Sequence, residues 1–479
     1  MYYRLNTSFA FRGWKNLPFA IQALDGPKKD MLPLFFQKKP FLDLLSCNGE
    51  EDVDLSSFTA EGRQILSKLL ADGIVEQSLT PLPPLKSRQR YRVFPSRYLF
   101  SVLWSITGKC NYRCRHCLVS APGASHPQLP LSDCMHIIGE LARSGIQRVD
   151  ITGGEPLVRS DFEEIVKELT RHEIDINMIF TNGFLLTEDT LRMLARYGQH
   201  PLFQLSFDGL GHHDWLRGVN GAEKEADRAF RLLNRHGFAA SAVMCIHREN
   251  KDCLRDTVNY LADLGVRSLR LDSPRNLGNW KQYSQKYALS TEELWTIFKK
   301  YINQYFEDGM PIDIDLGSFF QCGKGQTDYR IKYVRDTERG ADLNCLRCCE
   351  NVRYRAFISP EGRLMPCMGF METALQDKFP SILEHHLGDL ALKSYYHDVA
   401  DTKIRDYLDR NPDCRSCEHL PACLGGCMAE DITEEGDYLV PDQNCCYFHQ
   451  HIGESSVRAA ADLAVGKRQM LAAENSIER

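Results

Sequence analysis

Short apolar segments alternate with amphipathic segments between about residues 100 and 320 of this chain. The apolar segments are rich in Val, Ile, Leu and Phe, as buried parallel strands are: FSVLWSIT, RVDITGG, INMIFTNG, FQLSFDG, SAVMCIH and SLRLDSP. Segments of helical periodicity separate them. One of these, LSDCMHIIGELARSG, is expected to begin at an N-cap on Ser132 and to end at Gly145. Another carries Ser290 and Glu293 at the spacing of a capping box.

Six strand–helix units in series predict a parallel α/β fold, and a partial barrel and an open doubly wound sheet both fit this order.

Small, polar and acidic residues follow several of the predicted strands. The first strand runs into Cys110, the second ends in GGEP (Gly153 to Pro156), the third in TNG (Thr181 to Gly183) and the fourth in SFDG (Ser206 to Gly209). Ligands of parallel α/β folds gather at the carboxyl ends of the strands. Each group taken alone is explained by a turn. Because the groups are aligned at successive strand ends, they predict a site for a polar small molecule.

The first hundred residues follow a different pattern. YRLNTSFAFRGW and PFAIQAL predict two strands, PLFFQKKPFLDLLSCNG and TAEGRQILSKLLADG predict helices, and IVEQS predicts a returning strand. This order resembles a winged helix-turn-helix. The segment TPLPPLKSRQRYRVFPSRY, with its prolines and basic residues, is expected to be a linker. We therefore predict a winged-helix-like domain at residues 1–95 and the barrel at residues 96–320.

The region after the barrel has few long periodic segments and many cysteines. Such a region lacks an evident apolar core and is expected to be held together by metal, which predicts a cysteine-rich domain at residues 321–450. The tail at residues 451–479 contains SSVRAAADLAVGKRQMLAAENSIE and predicts a terminal helix. Four other cysteines stand in apolar surroundings and are predicted to be core residues: Cys47, Cys134, Cys245 and Cys253.

Composition and charge narrow the class of protein. Hydrophobic residues make up 43% of the 479 residues and charged residues 25%, which is ordinary for a globular protein. A net charge of −6 argues against broad nucleic-acid binding. The start of the chain, MYYRLNTSFAFRGW, lacks the layout of a signal peptide, and no apolar run is long enough to span a membrane. We expect a cytoplasmic protein without a membrane partner. In that reducing compartment, 18 spaced cysteines indicate metal ligation rather than disulfides.

Three thiols lie close together in CNYRCRHC, at Cys110, Cys114 and Cys117. Three thiolates on one loop can bind three corners of an iron–sulfur cubane and leave the fourth iron open. A structural zinc site would need a fourth ligand, and a redox dithiol would need only two of the thiols. The loop by itself therefore leaves three kinds of site open: an iron–sulfur cluster with one open iron, a zinc site with a distant fourth ligand, and a redox dithiol.

The pattern Cys-x-x-x-Cys-x-x-Cys after the first strand, with GGEP after the second, resembles the signature of the radical S-adenosylmethionine (radical SAM) superfamily. The resemblance implies an α/β fold with a partial (β/α)6, TIM-like barrel. It also implies a [4Fe–4S] cluster whose open iron is chelated by SAM, and a 5′-deoxyadenosyl radical formed by reductive cleavage. The SAM contacts that it implies are His116 at the adenine; Gly153, Gly154, Glu155 and Pro156 at the amino group; Ser206 and Arg217 at the carboxylate; and Asn182 near the third strand end.

The C-terminal cysteines resemble the SPASM extension of radical SAM enzymes that mature peptides and proteins. That extension normally binds two auxiliary [4Fe–4S] clusters, so three clusters are expected in all. The resemblance implies an outer cluster on Cys414, Cys417, Cys423 and Cys445, and an inner cluster on Cys345, Cys349, Cys367 and Cys427. The inner set could slip by one residue, because Cys348 is adjacent to Cys349, and Cys446 could replace Cys445 in the outer set. Two closed zinc sites are the alternative.

These resemblances together imply a maturase that installs an intramolecular thioether or carbon–carbon cross-link in a ribosomally made precursor peptide. The N-terminal domain resembles the winged-helix element that captures leader peptides by strand addition. A flavodoxin or ferredoxin would supply electrons. A formylglycine-forming sulfatase maturase is an alternative, against which Met368 after Cys367 and the added N-terminal domain both count. An iron–sulfur sensor with a DNA-binding winged helix is another, but the candidate recognition helix is nearly charge-balanced. The domain could also be a structural cap.

Overall fold

The computed structural model describes residues 1–24, 33–121, 126–337 and 340–477. The chain forms two compact units. The first comprises Met1–Phe100 with Gly139–Ile146 and His385–Lys393, and the second comprises Ser101–Ile138, Gln147–Glu384 and Ser394–Arg479.

The strands and helices of the described residues follow one another along the chain. The strands are β1 (Tyr2–Leu5), β2 (Phe9–Trp14), β3 (Leu17–Ala23), β4 (Leu34–Phe35), β5 (Asn48–Asp52), β6 (Val75–Ser78), β7 (Arg92–Phe94), β8 (Ser101–Ser105), β9 (Arg148–Thr152), β10 (Asp175–Thr181), β11 (Leu202–Ser206), β12 (Ala240–Cys245), β13 (Ser268–Asp272), β14 (Asp313–Leu316), β15 (Phe320–Cys322), β16 (Tyr329–Arg330), β17 (Arg355–Ile358) and β18 (Leu364–Met365). The helices are α1 (Lys38–Leu44), α2 (Ala60–Ala71), α3 (Leu131–Arg143), α4 (Phe162–Arg171), α5 (Glu188–Arg196), α6 (His213–Arg217), α7 (Ala222–Arg235), α8 (Leu254–Asp263), α9 (Ser284–Tyr287), α10 (Thr291–Glu307), α11 (Asn351–Tyr354), α12 (Leu387–Leu390), α13 (Tyr395–Ala400), α14 (Ile404–Arg410), α15 (Pro412–Arg415), α16 (Leu420–Cys423), α17 (Gln443–Tyr447) and α18 (Gly453–Ile477).

Two small sheets and two helices build the first unit. One sheet has the order β5-β1-β6 and the other the order β4-β3-β2-β7. Phe41 and Leu44 of α1 and Leu66 and Leu69 of α2 are buried in the same apolar core as Phe11 of β2. The predicted strand YRLNTSFAFRGW is in fact two strands. It is interrupted because the Asn6 side-chain oxygen accepts a hydrogen bond from the backbone N–H of Ser8 at 3.0 Å, which forms a turn.

The predicted linker before the barrel is partly structured, so that prediction was wrong for its second half. Its strand β7 pairs in parallel with β2. The Gln89 side chain is fully buried, and its amide donates to the carbonyl oxygens of Leu5, Asn6 and Phe9 at 3.2, 3.0 and 3.2 Å. A buried amide with these partners ties the segment to the first unit. Proline content alone did not reveal this packing.

The second unit is built on one large sheet of order β16-β15-β14-β13-β12-β11-β10-β9-β8-β17-β18. From β8 to β14, each strand pairs in parallel with the next strand in chain order, and β17 adds in parallel beside β8. A doubly wound sheet reverses its strand order at a switch point, and these strands do not reverse. The predicted α/β fold is confirmed, because the six apolar segments form β8 to β13.

Several local predictions can be compared with these elements. The capping box is confirmed: Ser290 Oγ accepts from the N–H of Glu293 at 3.2 Å, and Glu293 Oε2 accepts from the N–H of Ser290 at 2.8 Å. The N-cap on Ser132 was wrong, because α3 already begins at Leu131. The terminal helix is present as α18. The extension from β14 to β16 was not predicted, since these strands are short and partly polar.

The four cysteines predicted to be core residues differ in how deeply they are buried. Cys47, Cys134 and Cys245 are buried, whereas Cys253 is only half-buried. Among the described helices, none combines the length and apolar character needed to cross a membrane.

Candidate active site

The loop that carries Cys110, Cys114 and Cys117 follows β8 and is fixed by helix α6. The backbone N–H groups of Arg113 and Arg115 donate to the carbonyl oxygens of Arg217 and Leu216 at 3.3 and 2.8 Å. Gly218, which ends α6 in the left-handed region at φ 66°, permits this close approach. A Cβ at that position would lie 2.4 Å from the Arg113 carbonyl oxygen. The loop conformation therefore depends on a helix about a hundred residues further along the chain.

A second segment, after β13, holds the other side of the same loop. The backbone N–H of Asn279 donates to the Cys117 carbonyl oxygen at 3.0 Å, and its side-chain amide donates to the Cys114 carbonyl oxygen at 3.1 Å. Gly278 is packed so closely that a Cβ there would lie 2.4 Å from the Cys117 oxygen. Sequence analysis missed Asn279. Its only local signal is an ordinary Gly-Asn turn.

The three thiols are half-buried and influence one another electrostatically. Burial raises the pKa of Cys110 to about 12 and that of Cys117 to about 11, and it also raises the pKa of Cys114. The Cys110 and Cys117 sulfurs accept backbone N–H groups from Tyr112 and Ala121 at 3.4 and 3.3 Å. Among the described residues, no three His, Cys, Asp or Glu side chains converge on a single-ion position. A cubane does not require such convergence, because each cysteine binds a different iron. These thiols fit a cluster, whose binding would displace their protons.

The GGEP turn after β9 packs directly under this loop. The N–H groups of Gly154 and Glu155 donate to the carbonyl oxygens of Thr107 and Lys109 at 2.8 and 2.9 Å. A Cβ on Gly153 would lie 2.6 Å from the Thr107 oxygen, and a Cβ on Gly154 would lie 2.4 Å from the Lys109 oxygen. Glycine is needed here because a backbone turn must lie against another backbone.

Glu155 is buried and joins the second strand end to the third. Its carboxylate accepts from the Thr181 hydroxyl at 2.8 Å, from the Asn182 N–H at 2.8 Å and from the Leu157 N–H at 3.1 Å. Burial raises the pKa of Glu155 to about 7, although these three hydrogen bonds lower it. The Asn182 side chain donates in turn to Asn111 Oδ1 in the cysteine loop at 2.8 Å. Residues that follow the first, second and third strands of the barrel therefore form one connected network.

Arg217 is buried and paired with Asp208, a residue that sequence analysis did not select. Arg217 Nε donates to Asp208 Oδ2 at 2.6 Å and Nη2 donates to Oδ1 at 3.0 Å. The remaining nitrogen, Nη1, lies 3.9 Å from Cys114 Sγ. Burial alone would raise the pKa of Asp208, but the charge of Arg217 and a hydrogen bond with His213 hold that pKa below its ordinary value. The pair fixes the orientation of a guanidinium beside the cysteine loop.

His116 and Ser206 complete the predicted group at this end of the barrel. The His116 ring nitrogen Nδ1 is buried without a hydrogen-bond partner in the described part of the chain. Burial and the charge of Arg217 lower the pKa of His116 to about 3, so its imidazole is neutral at physiological pH. Ser206 is the last residue of β11 and is half-buried. A neutral imidazole and a hydroxyl suit contacts with a polar, heteroaromatic ligand.

The proposed outer auxiliary cysteines come together in the second unit. Interaction between the thiols of Cys423 and Cys445 lowers the pKa of Cys423 to about 7. Burial and the nearby thiols of Cys423, Cys414 and Cys417 raise the pKa of Cys446 to about 11. The four predicted outer ligands therefore lie near one another, and the alternative residue Cys446 lies near them too.

Three of the four proposed inner cysteines lie near enough for their charges to interact. Cys367 is coupled to both Cys427 and Cys349, and burial raises the pKa of Cys367 to about 12. Cys345 is exposed instead, and its thiol donates to Asp342 Oδ2 at 3.2 Å.

Asp442 connects the two auxiliary groups and was also missed. It is buried, and its carboxylate accepts from the N–H of Cys427 at 3.0 Å and from the N–H of Cys445 at 2.9 Å. One carboxylate therefore fixes a backbone segment of each group. The local signal was present, because Asp442 is the N-cap of α17.

A cavity of about 640 Å³ lies in the lower half of the barrel, toward the amino ends of the strands. Its lining includes Gln204, Ser241, Arg270 and Asp315. Ser241 Oγ and Asp315 Oδ1 have no hydrogen-bond partner among the residues that the structure describes. Gln204 stands two residues before Ser206 on β11, so the cavity continues the barrel interior below the strand-end site.

Comparison with known proteins identifies the barrel domain. Residues 104–261 match the Radical SAM superfamily profile, so the chain contains a radical SAM domain. That domain implies one [4Fe–4S] cluster and SAM, as the cysteine loop indicated.

Curated relatives cover most of the chain. The mycofactocin maturase MftC of Mycolicibacterium smegmatis is 28% identical over 71% of this chain and 81% of its own length. The PqqA peptide cyclase of Granulibacter bethesdensis is 25% identical, with coverage of 76% and 91%. An AdoMet-dependent heme synthase of Oleidesulfovibrio alaskensis is 24% identical, with coverage of 72% and 87%.

Among solved structures, Streptococcus suis SuiB bound to the precursor peptide SuiA has the same fold. Its TM-score is 0.65 at 15% sequence identity, over 92% of this chain and 99% of SuiB. The likeness confirms an α/β architecture with a large, mostly parallel sheet.

Proposed function

We propose that this protein is a radical SAM maturase that installs an intramolecular cross-link, a thioether or a carbon–carbon bond, in a ribosomally synthesised precursor peptide. One observation carries the proposal. A radical SAM domain lies in the same compact unit as two further groups of neighbouring cysteines, one that includes Cys367 and one that includes Cys446. Two of the relatives named above are a maturase and a peptide cyclase, which favours a peptide substrate.

The residues at the strand ends suit the two cofactors of the radical SAM domain. Cys110, Cys114 and Cys117 would ligate the [4Fe–4S] cluster, which with SAM supplies the 5′-deoxyadenosyl radical. The chain itself contributes binding and orientation. The backbone from Gly153 to Pro156, together with Glu155, would receive the SAM amino group. Asn182 anchors that turn to the cysteine loop.

The carboxylate and adenine of SAM would lie on the other side of the loop. Ser206 and Arg217 would hold the carboxylate, for which a guanidinium is well suited. Since Asp208 occupies Nε and Nη2 of Arg217, the nitrogen that remains for this contact is Nη1. His116, which is half-buried and neutral, would lie at the adenine.

Two auxiliary [4Fe–4S] clusters are proposed for the remaining cysteines. Cys414, Cys417, Cys423 and Cys445 would ligate the outer cluster, and Cys345, Cys349, Cys367 and Cys427 would ligate the inner one. Binding of Cys345 would require its thiol to leave Asp342. Hydrogen abstraction from the peptide leaves a carbon radical, and bond formation then releases one electron that an auxiliary cluster can accept. A flavodoxin or ferredoxin in the cytoplasm would supply the electrons for SAM cleavage.

We propose that the first unit captures the leader part of the precursor. Both sheets of this unit have outer strands to which an extended peptide could add: β5 and β6 in one, β4 and β7 in the other. Main-chain hydrogen bonds would then supply most of the affinity. A formylglycine-forming function is disfavoured, because Met368, which follows Cys367, has no acid–base group.

The proposal is tested by anaerobic reconstitution followed by peptide assays. We expect about twelve irons per chain, from three four-iron clusters. A precursor encoded beside this protein should lose two hydrogen atoms per cross-link, which mass spectrometry detects. Stoichiometric zinc instead of iron in freshly isolated protein would contradict the proposal.

A further inference from the structure

We propose that Asp208 is a positioning residue for Arg217, and that this buried pair sets the charge beside Cys114 and thereby the reduction potential of the SAM-binding cluster. This inference rests on the proposed function, because it assumes that the cysteine loop carries that cluster. Asp208 itself belongs to none of the groups expected to touch SAM.

Asp208 holds the guanidinium of Arg217 at two of its three nitrogens. Oδ2 accepts from Nε at 2.6 Å and Oδ1 accepts from Nη2 at 3.0 Å. Oδ1 also accepts the backbone N–H of Cys245 at 3.0 Å, which attaches the carboxylate to the end of β12. The guanidinium is planar, so two simultaneous hydrogen bonds fix its orientation. The direction of the third nitrogen is then determined by Asp208.

That third nitrogen points to a proposed cluster ligand. Nη1 lies 3.9 Å from Cys114 Sγ, and the backbone carbonyl of Arg217 accepts from Arg113 in the same loop at 3.3 Å. Arg217 is 7% exposed and Asp208 is fully buried, so water screens these charges little. The distance from the cation to the sulfur is therefore controlled through both the side chain and the backbone.

The sign of the effect follows from the charges. Reduction adds an electron to a cluster, so a nearby positive charge raises its reduction potential and a negative charge lowers it. Arg217 is the member of the pair whose nitrogen Nη1 lies 3.9 Å from Cys114 Sγ, and Asp208 cancels part of its charge. Removal of the Asp208 charge leaves the cation uncompensated and raises the potential. Removal of the Arg217 charge leaves a buried anion and lowers the potential.

Opposite shifts in two variants distinguish this role from a structural one. We would measure, without added SAM, the potential of the EPR signal that is absent from the Cys110, Cys114 and Cys117 triple variant, in reconstituted full-length Asp208→Asn, Arg217→Gln and the double variant. We expect Asp208→Asn to shift the reduction equilibrium about tenfold toward the reduced form, about 59 mV upward for a one-electron couple. Arg217→Gln should shift it downward by a similar amount. The double variant should return close to the wild-type value. Asp252→Asn is the matched control, since its side chain is 84% exposed, and it should leave the potential unchanged.

Shifts in the same direction, or no shift in either single variant, would overturn the inference. If both single variants lose iron, the double variant decides: recovered iron shows that the two charges compensate each other, and loss in all three shows a structural role. If the proposed function is wrong, the wild-type protein itself would form no SAM-responsive cluster, which distinguishes that outcome from failure of this inference.

Discussion

Nδ1 of His126 lies 2.5 Å from Oε1 of Glu361, and the other ring nitrogen of His126 lies 2.5 Å from Oε1 of Glu372. The imidazole is thus held between two carboxylates, one in the turn between β17 and β18 and one after β18. The backbone of His126 also packs against Gly108, just before the cysteine loop. A Cβ on Gly108 would lie only 2.4 Å from the His126 carbonyl oxygen. A protonated His126 therefore connects the segment that follows the cysteine loop to the segment that carries Cys367.

We expect this contact to stabilise the protein in a pH-dependent way. Hydrogen bonds to Glu361 raise the pKa of His126 to about 9, against a smaller opposing effect of burial. Because the folded pKa lies above the unfolded one, the stabilisation is complete below pH ~6.5 and is lost as the pH rises through about 9. Its size should be of order 3 kcal/mol. Urea unfolding of wild type and His126→Gln should show the largest difference near pH 6 and little difference near pH 10. A difference independent of pH would contradict the assignment.

The glycines under the cysteine loop should not tolerate a side chain. In Gly154→Ala the new Cβ would lie 2.4 Å from a backbone oxygen, which cannot move aside as a flexible side chain can. We expect a loss of stability of about 2 kcal/mol or more, with weaker cluster retention. Gly139→Ala in α3 is the control, because nothing lies within 4 Å of its Cβ position. That change should be neutral or stabilise by up to ~1 kcal/mol. Thermal denaturation and iron content measure both effects, and equal behaviour of the two variants would refute the packing argument.

Replacement of Cys110, Cys114 and Cys117 together by Ala should remove about a third of the reconstituted iron. Reductive cleavage of SAM should disappear completely, because the cofactor-binding cluster would be absent while the two auxiliary clusters remain. Iron analysis and the yield of 5′-deoxyadenosine give the two readouts. Cys47→Ala is the control, since its thiol is buried in the core of the first unit. Unchanged iron in the triple variant would show that the loop holds no cluster.

Proline in an outer strand of the first unit should prevent leader capture. Neighbouring residues alternate in the direction of their N–H groups, so one member of each pair faces outward. Glu50→Pro and Glu51→Pro test β5, and Glu76→Pro and Gln77→Pro test β6. We expect one outward-facing position to reduce leader affinity at least tenfold without changing SAM cleavage. Fluorescence titration of a leader peptide at two salt concentrations measures this, and the binding should depend little on salt. Steep salt dependence with duplex DNA would favour the DNA-binding alternative.

The sequence alone revealed those features that depend on short stretches of chain. Apolar runs of five to seven residues identified β8 to β13, because a strand buried on both faces is apolar along its length. Cysteine spacing and the GGEP turn pointed to the cofactor domain, because ligands on one loop must be neighbours in sequence. The capping box at Ser290 was equally local. Short, partly polar strands such as β7 and β16 gave no comparable signal, and β7 was mistaken for part of a linker.

Only the tertiary structure showed which residues hold the site in place. Glu361 and Glu372 reach His126 across more than two hundred residues. Asp208 was visible in the sequence as part of a turn, yet its pairing with Arg217 depends on how α6 folds back over the barrel end. Such contacts arise from packing between distant segments, where each side chain must find a partner when it leaves water. That requirement acts in three dimensions, so no periodicity or spacing along the chain records it.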